Sequence, residues 1–193
     1  MATKTMPVTN TPEANELLVT DPLALLIGML LDQQVPMEWA FLGPYTLRGR
    51  FGGTLDAHKI AAMSEEEVIE VFCAKPAVHR YPAVMARRTY ELCQALVDHY
   101  DGDAGKVWRN VKTGDELYRR LRELPGYGDE KTKIFMAILA KRLGLEPAGW
   151  EEAAAPFSDD VPRSVADIDS AESFARVREW KKAKKAAGKS KQD

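Results

Sequence analysis

Apolar residues recur at helical spacing in almost every periodic stretch of this chain. The clearest case starts at Asp21, a typical N-cap, which is followed by Pro22 and by apolar residues at positions 23, 26, 27, 30 and 31. Five further helices are predicted, with starts or bounds at Ser64, 81–100, Thr113, Gly128–Gly144 and about Asp169 or Ser170. Because the alternating pattern of strands is missing, the sequence predicts an all-α protein.

The composition is that of an ordinary folded domain. Of 193 residues, 45% are apolar and 29% are charged, which excludes a disordered or collagen-like chain. No apolar run approaches the roughly 20 residues that span a bilayer, and residues 1–14 lack the apolar core of a secretory signal. Cys73 and Cys93 are too few for a disulfide framework or a zinc ribbon. We therefore expect a cytoplasmic protein without a membrane segment, and a monomer.

Charge is distributed unevenly along the chain. Residues 176–193 contain eight basic and two acidic side chains, whereas the whole chain has a net charge of -2. A basic tail on an acidic body is suited to a polyanion such as DNA. The alternative is a solvated helix end followed by a frayed tail.

A short glycine-containing segment joins two of the predicted helices. It reads Leu124-Pro125-Gly126-Tyr127-Gly128. Two glycines spaced by one residue permit positive φ angles and leave backbone N–H groups bare at the start of the next helix. Such a helix N-terminus can hold a phosphate oxygen without reading any base. The alternative is a plain turn with a glycine C-cap.

Three segments of the chain occur in the order known from one enzyme family. The first is Leu26-Ile-Gly-Met-Leu-Leu-Asp-Gln-Gln-Val, the second is Tyr81–Cys93, and the third is Leu124-Pro-Gly-Tyr-Gly-Asp-Glu-Lys-Thr-Lys-Ile-Phe. Together they resemble the helix-hairpin-helix DNA glycosylases, the HhH-GPD superfamily of base-excision repair enzymes. The resemblance implies a six-helix barrel over 20–145, with the helix-hairpin-helix at about 113–143. A smaller helical lobe would then contain 1–19 and 146–193, including an irregular linker over 146–163 and the basic tail.

The resemblance also implies a function, namely binding double-stranded DNA and hydrolysing the N-glycosidic bond of a damaged or mispaired base. Family members bend the duplex, insert an amide side chain and rotate the target nucleotide into a pocket. Aromatic residues that could stack on that base are Trp39, Phe41 and Tyr45. Residues implied to contact DNA are Gln33, Gln34, Gly126, Tyr127, Gly128, Lys131 and Lys133. The alternative is a non-catalytic helix-hairpin-helix module that recognises lesions or junctions.

The catalytic residues are where this chain departs from the family. Bifunctional members carry a lysine nucleophile and, about eighteen residues later, an aspartate that stabilises charge on the sugar or activates water. Counted without gaps, the lysine position is Glu130, and no carboxylate lies eighteen residues beyond it. We therefore expect a monofunctional glycosylase that does not cut the strand.

Several residues remain candidates for the missing groups. An insertion in the linker would make the acid Asp167, Asp160 or Asp159, and Glu130 itself is another candidate acid. A shift of one residue would make Lys131 the nucleophile, but adjacent helical side chains point about 100° apart. The sequence accordingly favours a phosphate-facing or solvated Lys131.

No cofactor is expected. The iron–sulfur cluster of some family members needs four cysteines, and none follows Cys93. His58, His79 and His99 lack the spacing of metal ligands, so we interpret them as surface or capping residues. A monovalent cation at the hairpin would be compatible with the two acids that follow it.

Overall fold

Helices account for all of the regular secondary structure. The computed structural model describes residues 4–193, and within that range it contains no β-strand. The α-helices are α1 Pro12–Thr20, α2 Pro22–Leu31, α3 Met37–Arg50, α4 Ala57–Ala62, α5 Glu65–Cys73, α6 Pro82–Tyr100, α7 Gly114–Arg122, α8 Asp129–Leu143, α9 Trp150–Ala154 and α10 Ala171–Ala186. Short 3-10 helices lie at Ala104–Val107 and Val165–Asp167. The predicted all-α class is confirmed.

The helix starts that were predicted from capping residues are present. Asp21 accepts hydrogen bonds from the backbone N–H of Leu23 at 2.9 Å and of Ala24 at 3.2 Å. Ser64 forms a complete capping box at the start of α5, and Thr113 and Ser170 cap α7 and α10. These side chains satisfy amides that have no partner inside the helix.

Three helices and part of the linker were not predicted. The missed helices are α1, α3 and α4. In α3, Gly43 and Pro44 have poor helix propensity, but both are buried against the rest of the protein. The expectation of an entirely irregular 146–163 is wrong, because α9 forms within it.

Helix α2 lies at the centre of the molecule. Every residue from Leu23 to Leu31 is buried, as expected for a helix that is apolar on all sides. It packs against α1, α3, α6 and α8. At Gly28 an added Cβ would lie 2.7 Å from the ring of Phe41, so the absence of a side chain lets α2 and α3 pack closely. The carboxyl end of α2 is therefore held in place by packing on several sides.

One continuous hydrophobic core connects the helices. It includes Met6 and Val8 near the N-terminus, the residues of α2, and Phe157, Val165 and Val177 from the C-terminal part. The division into a barrel over 20–145 and a smaller lobe stays a prediction.

Among the described residues, no single helix is long and apolar enough to cross a membrane. Helices α1 and α2 would suffice together by length and composition, but they meet at an angle of 112°.

Candidate functional site

The glycine-containing hairpin is docked onto the centre of α2. Gly126 has a φ of 83°, and an added Cβ would collide with the side chain of Leu30. The hydroxyl of Tyr127 donates to the backbone carbonyl of Leu26 at 2.7 Å, and its ring meets Phe135 edge-on at 5.7 Å. Tyr127 is thus buried, and its side chain is not available to DNA. Contact of DNA with the backbone of the hairpin stays a prediction. Its role is to anchor the hairpin.

The start of α8 presents its backbone to solvent. Gly128 is exposed at the N-cap, and no side chain among residues 4–193 caps this end. The carboxylate of Asp129 accepts from the Tyr118 hydroxyl at 2.7 Å and pairs with Lys133 at 3.2 Å. The Tyr118 hydrogen bond is the main reason why the pKa of Asp129 is lowered. Glu130 pairs with Lys191 at 3.3 Å. Both acids are therefore offset by cations, and Lys133 is engaged locally.

Two carbonyl oxygens of the hairpin accept hydrogen bonds from the protein itself. Arg122 donates from Nη1 to the carbonyl oxygen of Tyr127 at 2.8 Å. The carbonyl of Leu124 accepts the Tyr127 N–H at 3.2 Å. A monovalent cation at the hairpin stays a prediction, and no chemistry is assigned to one.

Lys131 reaches back from α8 to the carboxyl end of α2. Its Nζ donates to the carbonyl oxygen of Leu30 at 2.8 Å and lies 3.4 Å from Oε1 of Gln33. Burial of the amine lowers the pKa of Lys131 to about 8, and the nearby Asp32 carboxylate opposes part of that effect. Arg88 and Lys191 lower the pKa further. Of the two environments expected for Lys131, the solvated one is wrong, because its side chain turns inward to α2. Contact with a phosphate stays a prediction.

The paired glutamines occupy a tight turn after α2. Gln34 is exposed and has a φ of 57°, a left-handed conformation that is uncommon outside glycine. His79 holds this turn, because its Nε2–H donates to the carbonyls of Leu31 at 3.1 Å and Gln33 at 3.0 Å. Its Nδ1 accepts the Tyr81 N–H at 3.0 Å, so the ring is neutral. Burial lowers the pKa of His79. The histidine is a buried capping residue.

An open cleft of about 560 Å³ lies between this turn and α10. Its volume falls within the usual range of about 300–1,000 Å³ for ligand pockets. The charged residues that line it are Asp32, Glu38, Arg178, Glu179, Lys181, Lys182 and Lys191. Gln33 and Gln34 line it as well, whereas Lys131 lies behind Gln33.

The candidate acids from the linker do not line this cleft. Asp167 pairs with Lys141 at 2.6 Å and also accepts the Arg163 N–H at 3.0 Å. Lys141 is ten positions from Lys131 on α8, which is about 15 Å along the helix axis. Asp159 pairs with Arg163 at 2.8 Å, and Asp160 is exposed. None of the three acids lines the cleft.

Sequence reasoning missed Asp32 and did not distinguish Lys181 from the other basic residues of 176–193. Asp32 lines it and interacts electrostatically with both Lys131 and Lys181. Asp32 could have been identified from the sequence as a candidate site residue, because it directly precedes Gln33. Lys181 follows Phe174 and Val177 at helical spacing, which places it on the inward face of α10.

The three candidate stacking aromatics have different environments. Phe41 is fully buried in the core and cannot contact a ligand. Trp39 and Tyr45 are 39% and 37% exposed. The centre of the Trp39 ring lies 6.4 Å from the centre of the His79 ring, and the centre of the Tyr81 ring lies 6.2 Å from the same His79 ring. Trp39 is therefore the aromatic candidate nearest to the glutamine turn.

Within residues 4–193, no group of three or more His, Cys, Asp or Glu side chains is arranged to hold a metal ion. No protein-family model, curated protein or solved structure matches this chain.

Proposed function

We propose that this protein binds duplex DNA with a damaged or mispaired base and cleaves the N-glycosidic bond of that base. The observation that supports the proposal is the contact between Lys131 and Gln33, at 3.4 Å. These residues belong to separate segments of the family resemblance, 98 positions apart, and they meet beside one cleft. The proposed fold is the helix-hairpin-helix glycosylase barrel, acting as a monomer.

The proposed grip on DNA uses backbone groups. The bare amides at the start of α8 would hold a phosphate, aided by the helix dipole, and would contribute no sequence preference. Gln34 is exposed at the tip of a turn that His79 fixes. An amide in that position can enter the base stack and hydrogen-bond the widowed base. Gln34 is therefore the proposed wedge.

The proposed chemistry uses the amine of Lys131. With a pKa of about 8, roughly one tenth of this amine is neutral at pH 7, which far exceeds the fraction for an ordinary lysine. Gln33 covers the amine in the free protein, and rotation of its side chain on DNA binding would open the path to the cleft.

The proposed bond changes balance without a cofactor. Nζ attacks C1′, the C1′–N bond breaks with its electron pair going to the base, and the base takes up a proton. Loss of a proton from nitrogen and opening of the sugar ring give a Schiff base between Nζ and C1′. Addition of water returns the amine and an abasic sugar, so the net reaction is hydrolysis. The Asp32 carboxylate would stabilise positive charge as it develops on the sugar.

The test is a panel of labelled duplexes that each carry one lesion. Reactions are run with and without alkali, and with borohydride, which reduces a Schiff base to a stable protein–DNA adduct. We expect one duplex to lose its base and to give an adduct, and both results to disappear in Lys131→Met. Lys59→Met, at an exposed lysine of α4 to which no role in binding is assigned, is the control and should retain both.

Two other results would change the assignment. One such result is alkali-dependent cleavage without an adduct that is lost in Asp32→Asn but not in Lys131→Met. It would contradict nucleophilic attack by the Lys131 amine and favour direct attack by water. The other is an active Asp32→Asn combined with loss of activity in Asp167→Asn, Asp160→Asn or Glu130→Gln. It would show that the catalytic acid is not Asp32 but a residue that does not line the cleft.

A second candidate is a non-catalytic DNA-binding module. The observation in its favour is that Asp167, the acid placed most like the family's, is held by Lys141 and by the Arg163 backbone. No excision across the panel, combined with retained binding that weakens steeply between about 50 and 200 mM salt, would favour this module.

A further inference from the structure

Helix α10 directs one lysine into the cleft instead of into solvent. Phe174 and Val177 pack against the core, and Lys181 continues the same face one turn later. Lys181 is partly buried, whereas its neighbours Lys182 and Lys185 are exposed. The position of Lys181 therefore follows from the packing of the helix.

The ammonium group of Lys181 lacks the partners that a buried charge normally has. Among residues 4–193, its hydrogen-bond acceptor is Sδ of Met37, at 2.9 Å, and a thioether is a weak acceptor. No carboxylate in this range lies within 4.0 Å of it. Buried cations are usually paired, because desolvation of an unpaired charge is costly. Burial accordingly lowers the pKa of Lys181, and Asp32 offsets only part of that effect.

The surroundings of this amine are suited to an anion. Lys182 lines the same cleft and has no ion-pair partner among the described residues. Arg178 and Lys191 also line it, each paired with one glutamate. An anion entering the cleft would meet two amines without carboxylate partners and two further cations at its rim. Three carboxylates on the walls disfavour a multiply charged ligand deep inside, which points to one phosphate group at the α10 side.

We propose that the α10 wall of this cleft is a phosphate-binding subsite in which Lys181 is the central ligand. This inference rests on the proposed function, since the natural phosphate would be a backbone phosphate next to the target nucleotide. The subsite would place the nucleotide beside Gln33, on the opposite side of the cleft. It also gives the basic C-terminal helix a specific role instead of a general attraction to DNA.

Two measurements on the full chain test the subsite. The first is binding of a lesion duplex at about 50 and 200 mM salt by Lys181→Met, with Lys185→Met as the matched exposed control on α10. We expect Lys181→Met to bind about three- to tenfold more weakly at low salt and to reduce the salt slope by about 1. Lys185→Met should change each value much less. Because Lys181→Met removes a buried charge, it should melt at or above the wild-type temperature.

The second measurement is acetylation of lysines, followed by mass spectrometry, with inorganic phosphate or with the duplex as probe. Protection of Lys181 by either probe, with Lys185 unprotected, supports the subsite. Protection by inorganic phosphate without any binding of the duplex keeps the subsite and contradicts the proposed function. Binding of the duplex with an unchanged salt slope in Lys181→Met, and equal acetylation of Lys181 with and without DNA, overturns the subsite and leaves the proposed function standing.

Discussion

The buried amine of Lys131 predicts an unusual dependence of stability on pH. Its pKa is lowered from 10.5 to about 8 in the folded protein, mainly by burial. Between these values the unfolded chain binds more protons than the folded one, so stability rises with pH. The stabilisation is complete above about pH 10.5 and is lost as the pH falls through about 8. The shift corresponds to about 3 kcal/mol of unfolding free energy.

The assay compares wild type with Lys131→Met by urea unfolding at intervals from pH 7 to 10.5, followed by tryptophan fluorescence. Subtraction removes other groups that titrate in this range, such as Tyr100, whose pKa is raised by burial. Relative to the variant, wild type should gain about 3 kcal/mol over the range. Curves for wild type and Lys131→Met that stay parallel within about 0.5 kcal/mol would refute the reasoning.

Three other substitutions test the framework around the cleft. Gly126→Ala should lower unfolding free energy by about 1–3 kcal/mol in urea, because it strains a positive φ and collides with Leu30. The pKa of His79 is lowered in the folded protein, so its contribution to stability is present above about pH 6.5 and is lost as the pH falls through the pKa of the folded state. Between pH 7 and 5, wild type should therefore lose more unfolding free energy than His79→Gln does. Asp167→Asn should cost about 3 kcal/mol in thermal unfolding, since it leaves the Lys141 ammonium buried without its charge partner, and a cost below about 1 kcal/mol would show that this pair is well solvated.

Local signals in the sequence identified most of the framework. Caps at Asp21, Ser64 and Thr113 act over three or four residues, so they could be read directly and proved correct. Helix α3 was missed because Gly43 and Pro44 oppose helix formation locally, while the absence of a side chain at Gly43 permits close packing on Leu31 of α2. That benefit comes from a different helix and leaves no periodic trace.

The candidate site was only partly predictable for the same reason. The sequence identified the hairpin and the glutamine pair as separate features. It predicted a phosphate-facing or solvated Lys131, since nothing nearby in sequence reveals a carbonyl partner 101 positions away. Asp32 and Lys181 matter because α2 and α10 form opposite walls of one cleft, which is a tertiary property.

The hydrogen bonds between the hairpin and α2 have a consequence for how DNA would be read. Tyr127 and Lys131 bind carbonyls one turn apart on α2, and the turn with Gln34 begins directly after that helix. The end of α8 proposed to hold a phosphate and the proposed wedge would therefore move as one rigid unit. In the proposed complex this unit would fix the number of nucleotides between the bound phosphate and the base step that the wedge interrupts. A lesion would be recognised because its base pair unstacks more easily at that fixed distance, before the protein contacts any atom of the base.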